Sequence, residues 1–274
     1  MTPVRHRIAV ALVALSCATG LHAEEWTFNS ATHPAGGAVA ESFASNGQVW
    51  WNSSGAGVWK YQGLYYIPNV GHMVRSLGAM KAEGALTGAG NFGRISHTTA
   101  QNVDIGLIAT GTKAIAPRIM VWRAWQDAYI TDVAHATEVT TDTKAGMQVC
   151  HNGATTIRDV AGGYRCGTVA FDCFRTESQC GVENLAGIAS PSDSGGPVWW
   201  YSAAGIKLLG WVSARGGTWL ESASPPSYTL MLFTPVWVLQ DHSWRAEETW
   251  LEGGYPAGND GTGCFVTAHG CVKS

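Results

Sequence analysis

An all-β fold is predicted by three observations. Short apolar or aromatic runs recur along the chain between clusters of Gly, Asn, Ser and Pro. Helical periodicity is scarce. Charged residues make up only 14% of the 274 residues, alongside 34 Gly and 13 Trp. Many short strands separated by turn signals indicate a sandwich or barrel. Low charge with high Gly fits a packed β protein rather than a disordered one. The length suits one large all-β domain or two small ones.

The first element is read as an export leader over residues 1–23. Arg5, His6 and Arg7 form a basic start, Ile8 to Thr19 an apolar run, and Leu21–His22–Ala23 a cleavage-like site. The run is too short to span a bilayer, so no membrane partner is expected. Strands are then expected at Gly47–Trp51, Val58–Val70, Val103–Ala109, Arg118–Trp125, Gly167–Phe171, Val198–Tyr201, Ile206–Val212 and Tyr228–Val236. Trp50–Trp51 and Trp199–Trp200 are adjacent pairs, and strand neighbours point to opposite faces, so one of each pair should be core. One helix is expected from Pro235 to about Ala246, with the proline at its first position. The tail beyond Glu247 is Gly-rich and is read as an appendage clipped by a small disulfide loop.

Seven cysteines are present, and Cys17 lies in the leader. The six others fit disulfides in an exported chain. Six allow fifteen connectivities, of which pairing of neighbours is expected: Cys150–Cys166, Cys173–Cys180 and Cys264–Cys271. No CxxC or HxxxH spacing supports a metal site, so neither metal nor other cofactor is expected. The formal charge is −3 and becomes more negative once Arg5 and Arg7 leave, which argues against nucleic acid as a partner. A monomer is expected, in the periplasm or the medium.

The chemistry concentrates in Ser190–Pro191–Ser192–Asp193–Ser194–Gly195–Gly196–Pro197. Glycines permit a tight turn and prolines stiffen its flanks. Such a turn can expose the Ser194 hydroxyl and aim backbone N–H groups at a reacting oxygen, as acyl transfer requires. The same residue types also make ordinary surface turns. Asp104 sits at the edge of the apolar run Asn102–Val103–Asp104–Ile105–Gly106–Leu107–Ile108, where an acid needs hydrogen bonds if it is buried. One solution is to accept from a histidine ring; another is to cap a turn. His72 follows the apolar run Tyr65–Val70 and Gly71, where its ring can serve as a general base. His97 competes for that role, and His33, His135, His151, His242 and His269 are weaker competitors.

In the order His72, Asp104, Ser194 the chain resembles the chymotrypsin-like serine proteases, in particular the secreted bacterial branch that includes α-lytic protease and the streptogrisins. Asp193–Ser194–Gly195–Gly196–Pro197 is similar to the family's nucleophile motif, and Asn102–Ile108 to its acid motif. Val149–Thr156 with Gly163–Val169 is similar to the branch's disulfide-closed hairpin, and Phe233–Val236 to the approach to its C-terminal helix. The resemblance covers roughly residues 45 to 245. It implies two packed six-stranded antiparallel β-barrels, over residues 24–128 and 129–246, with a C-terminal helix and a tail at 247–274. The implied activity is that of a serine endopeptidase acting on polypeptides through a His-Asp-Ser triad. A catalytically impaired protein on the same fold, holding peptide or glycan, is the alternative.

The resemblance also implies an oxyanion hole from the N–H groups of Ser192 and Ser194. It places Ser213, Ala214 and Arg215 along the substrate, and Ile188, Ala189 and Ser190 at the base of the pocket for the side chain preceding the scissile bond (P1). No acid lies at that base, so a Lys or Arg preference is not expected, and a medium apolar P1 is the default. Arg215 is either a solvated rim charge or an attractor for an acidic P1. Asp193 is expected to be buried against a positive partner; His151 holds the position where relatives offer an arginine, so a His151–Asp193 pair is expected. The chain departs from the family by placing Ser192 where glycine is usual and Gly71–His72–Met73 where Ala-His-Cys is usual.

Overall fold

The computed structural model describes residues 55–73, 103–109, 143–156, 159–174, 179–200, 206–240, 263–267 and 270–271 in full, and the backbone of further strands and helical turns. The expected leader lies outside the described residues.

The strands are β1 (Val39–Phe43), β2 (Val49–Ser53), β3 (Trp59–Tyr61), β4 (Leu64–Asn69), β5 (Glu83–Leu86), β6 (Gly90–Thr99), β7 (Gly106–Gly111), β8 (Ile119–Arg123) and β9 (Gln126–Ile130) in the first half. The second half holds β10 (Gln148–His151), β11 (Arg165–Val169), β12 (Cys180–Glu183), β13 (Pro197–Ser202), β14 (Gly205–Leu220) and β15 (Ser227–Pro235), and the tail holds β16 (Trp250–Glu252), β17 (Gly263–Thr267) and β18 (Gly270–Val272). Short helices are α1 (Gly71–Ser76), α2 (Ala154–Asp159) and α3 (Trp237–Gln240).

The fold is all-β. Strands β10-β11-β12-β15-β14-β13 close into a six-stranded barrel. The first half forms a second antiparallel sheet in the order β18-β17-β3-β4-β7-β6-β5-β1-β2, with β16 on β6. Of the expected C-terminal helix, α3 is described. The tail is not an appendage. Cys264 and Cys271 are bonded, and β17 pairs with β3 so that Phe265 lies opposite Trp59.

Local sequence explains the strand ends that matter. Gln62 and Gly63 both take positive φ, at 48° and 78°, the turn that suits the twist of a two-residue hairpin, and so β3 doubles back into β4. Antiparallel pairing then sets Asn69 at the end of β4 against Gly106 at the start of β7. That register puts α1, just after β4, beside residues 103–105, just before β7.

In the barrel, β14 carries an extra residue: Val212 pairs with Phe233 but Ala214 pairs with Leu232. Ser213 is the bulged residue, and a bulge re-aims a side chain that regular pairing would direct elsewhere.

The two halves share a core. The Trp211 indole N–H donates to the Ala56 carbonyl at 2.9 Å, and Phe265 packs 4.8 Å from Trp59 and 6.3 Å from Trp211, centroid to centroid. Of the adjacent tryptophans, Trp199 is buried and donates to Asn152 Oδ1 at 2.7 Å, while Trp200 is half-buried. No described helix is long and apolar enough to cross a membrane.

Candidate active site

The site grows from the register just described. His72 lies at the start of α1 and its backbone N–H donates to Asp104 Oδ1 at 2.7 Å. The ring follows, with Nδ1 2.7 Å from Asp104 Oδ2. An ionised carboxylate only accepts, so Nδ1 carries a proton, and in the neutral form of the ring Nε2 holds the lone pair. Asp104 receives a third bond from the other half of the molecule, Ser213 Oγ donating to Oδ2 at 2.6 Å. Thr234 Oγ1 donates to the Asp104 carbonyl at 2.8 Å. Burial acts to raise the Asp104 pKa. The hydrogen bonds from His72 and Ser213, together with the His72 charge, outweigh it and hold the carboxyl below the usual aspartate value. The His72 side chain is 39% exposed and that of Asp104 14%.

The Ser190–Pro197 segment folds as consecutive turns. Asp193 N–H donates to the Ser190 carbonyl at 3.3 Å and Gly196 N–H to the Asp193 carbonyl at 3.0 Å. Gly195 N–H to the Val212 carbonyl and Val212 N–H to the Gly196 carbonyl, both at 2.8 Å, fasten the turn to β14. Gly195 has φ 81°, and a Cβ there would lie 1.9 Å from Asn69 Oδ1, so glycine is required on two counts. Ser192 has φ 69°, the left-handed region in which a glycine would be unstrained. Among the described residues, none accepts from the Ser194 N–H.

His72 and Ser194 line one pocket of about 320 Å³. No hydrogen bond joins the two side chains. Ala189, Ser190, Val212, Ser213, Ala214 and Arg215 complete the lining. Ile188, expected at the base of the pocket, is fully buried and is not part of this lining. His97 is on β6, with its side chain outside the described residues, as are His33, His135, His242 and His269.

The expected His151–Asp193 pair is not formed. His151 Nε2 is bonded to the Ile188 carbonyl, and its Nδ1 has no partner. Burial of the ring pushes its pKa below that of an ordinary histidine, against the pull of Asp193. The Asp193 carboxylate instead accepts from Thr156 N–H at 2.9 Å, Thr156 Oγ1 at 2.8 Å and Ser190 N–H at 2.9 Å. Two bonds from α2 and one from its own turn hold the carboxylate, within the electrostatic reach of Arg165.

Two polar residues near the site were missed. Gln179 Nε2 donates to Ser213 Oγ at 3.0 Å, which extends the chain of bonds behind His72. Arg165 is only 9% exposed and is cross-strand from His151. Its signal was available: Arg165, Gly167 and Val169 alternate on β11 and all face inward. The sulfurs of Cys150 and Cys166 and of Cys173 and Cys180 are bonded. Among the described residues no group of three or more His, Cys, Asp or Glu could hold a metal ion.

No protein-family model matches the chain, and no curated protein matches it. Solved structures do align with it. Thermobifida fusca protease A is 16% identical, with a TM-score of 0.48, over 80% of this chain and 98% of that one. A glutamic-acid-specific serine protease is 15% identical, with a TM-score of 0.49, over 74% and 93%. A Nocardiopsis protease is 17% identical, with a TM-score of 0.49, over 77% and 95%. Activity has to be argued from this chain's own residues.

Proposed function

We propose that the chain is an exported serine endopeptidase that cleaves peptide bonds through an acyl-enzyme on Ser194. The observation that carries this reading is the His72–Asp104 clasp facing the pocket that Ser194 also lines. Ser194 Oγ attacks the scissile carbonyl as His72 Nε2 takes its proton. Asp104 holds the ring in the tautomer that leaves Nε2 basic and stabilises the imidazolium that follows. The N–H groups of Ser192 and Ser194 receive the oxyanion; one such donor is typically worth about 3–4 kcal/mol of barrier. His72 then returns the proton to the leaving amine, and water, activated by the same nitrogen, releases the acid. Ser213, Ala214 and Arg215 pair with the substrate, and Ala189 and Ser190 close the base of the P1 pocket. Catalytic hydrogen bonds are often long without substrate, so an open His72–Ser194 gap is compatible with this role. The three disulfides suit an oxidising compartment. Residues 24–128 and 129–246 are proposed as the two halves that enclose the cleft.

A second reading, a peptide-binding protein without turnover, is favoured by one observation: Ser192 holds a left-handed backbone at the place where the oxyanion hole must form. A neutral fluorophosphonate separates the two. Stoichiometric labelling that is lost in Ser194→Ala and slowed in His72→Ala supports the enzyme. A chain that folds but takes no label supports the binder.

A further inference from the structure

We infer that the substrate pocket takes an acidic P1 side chain, read by Arg165 beneath its floor and Arg215 at its mouth; this rests on the protease reading above. Ser190 lines the pocket, and its hydroxyl accepts from Arg165 Nη1 at 3.0 Å while donating to the Pro226 carbonyl at 3.0 Å. Arg165 Nη2 donates to the Pro225 carbonyl at 2.7 Å. A guanidinium is thus anchored one hydroxyl away from the pocket. Among the described residues no carboxylate is within ion-pair distance of it. Asp193 is the acid whose field it feels, and that carboxylate is already engaged by Thr156 and by the Ser190 N–H. A buried charge with neutral hydrogen-bond partners but no counter-charge in contact is costly, and an arriving anion lowers that cost. The Ser190 proton can swing from Pro226 to an incoming carboxylate without breaking the Arg165 bond.

At the opposite end, Arg215 lines the pocket and lies 5.2 Å over the Tyr228 ring. Tyr228 is itself tied to the pocket wall, its N–H donating to the Ala189 carbonyl at 2.8 Å and its carbonyl accepting from Ile188 at 2.7 Å. This fixes a cation that would otherwise sweep through solvent. The described lining contains no carboxylate; Asp104 is occupied by His72 and Ser213, and Asp193 by Thr156 and the Ser190 N–H. A medium apolar side chain, the default expectation, would leave both arginines unanswered.

The test uses fluorogenic peptides that differ only at P1 (Glu, Asp, Gln, Leu), with binding of amide-ended Glu and Gln peptides to the Ser194→Ala protein as a second readout. Glu should exceed Gln by about tenfold in kcat/KM and in affinity, and the ratio should shrink at high salt. Arg165→Gln should bring the ratio towards one. Because that residue is buried, Arg215→Gln, an exposed change, provides a variant that will fold, and it should lower the ratio as well. Equal or better use of Gln or Leu by the native chain overturns the inference, as does a ratio that neither variant changes. Labelling of Ser194 by a neutral phosphonate without Glu preference sinks this inference alone. Glu-selective binding by Ser194→Ala from a chain that never labels sinks the protease reading and leaves the anionic pocket standing.

Discussion

Three hydrogen bonds converge on the Asp104 side chain, and its lowered pKa has a direct consequence. In the unfolded chain it binds a proton at higher pH than in the native one, so its contribution to stability is full above the ordinary aspartate pKa of about 3.9 and is lost as pH falls through the lower native value. Asp104→Asn keeps the shape but lets the His72 ring settle in the wrong tautomer. A loss of about 10⁴-fold in kcat is expected with little change in KM, read on any good peptide substrate. Ser192 predicts the opposite kind of change. Its positive φ is strained for an L-residue, and Ser192→Gly should stabilise the chain by about 1 kcal/mol in urea denaturation while raising the rate of phosphonate labelling. A slower label in that variant would mean that the serine side chain itself helps to form the hole.

At the scale of elements, two short pieces carry more than their length suggests. The loop closed by Cys173–Cys180 ends on Gln179, whose amide reaches Ser213 and through it Asp104. Gln179→Ala should cost about 1 kcal/mol of transition-state stabilisation, roughly fivefold in kcat. An unchanged rate would make the bond incidental. The tail strand β17 brings Phe265 between Trp59 and Trp211. Phe265→Ala should destabilise the chain by about 3–5 kcal/mol in denaturant titration, although the residue is far along the sequence from the pocket. The sequence did not announce this. The tail's Gly content reads as loop, and pairing of β17 with β3 joins residues about 200 positions apart, which no local pattern encodes.

For the whole molecule, the all-β class was legible because turn residues and short apolar runs are local signals. The order of His72, Asp104 and Ser194 was legible because motifs survive in sequence where their contacts cannot be seen. What stayed hidden is how distant parts share a polar group. His151 was expected to face Asp193, yet strand pairing sets it towards the Ile188 carbonyl, and α2 supplies Thr156 in its place. The buried ring gives the fold a pH dependence of its own. Its native pKa lies below the unfolded value of about 6.5, so the unfolded chain takes up a proton first and stability declines as pH falls below that value. Denaturation between pH 7 and 5 should show this slope, and His151→Gln should flatten it; an identical slope in the variant would assign the effect to another group.

The Asp104 carboxylate is clasped by His72 from one half and Ser213 from the other, so its full set of hydrogen bonds exists only when the halves are docked. On the proposed protease reading, a chain still folding holds its Ser194 alcohol apart from the His72 ring, and peptide cleavage waits until the halves dock. Under mild denaturant, phosphonate labelling should therefore vanish before β-sheet circular dichroism does; simultaneous loss of both would show that the halves never part while folded.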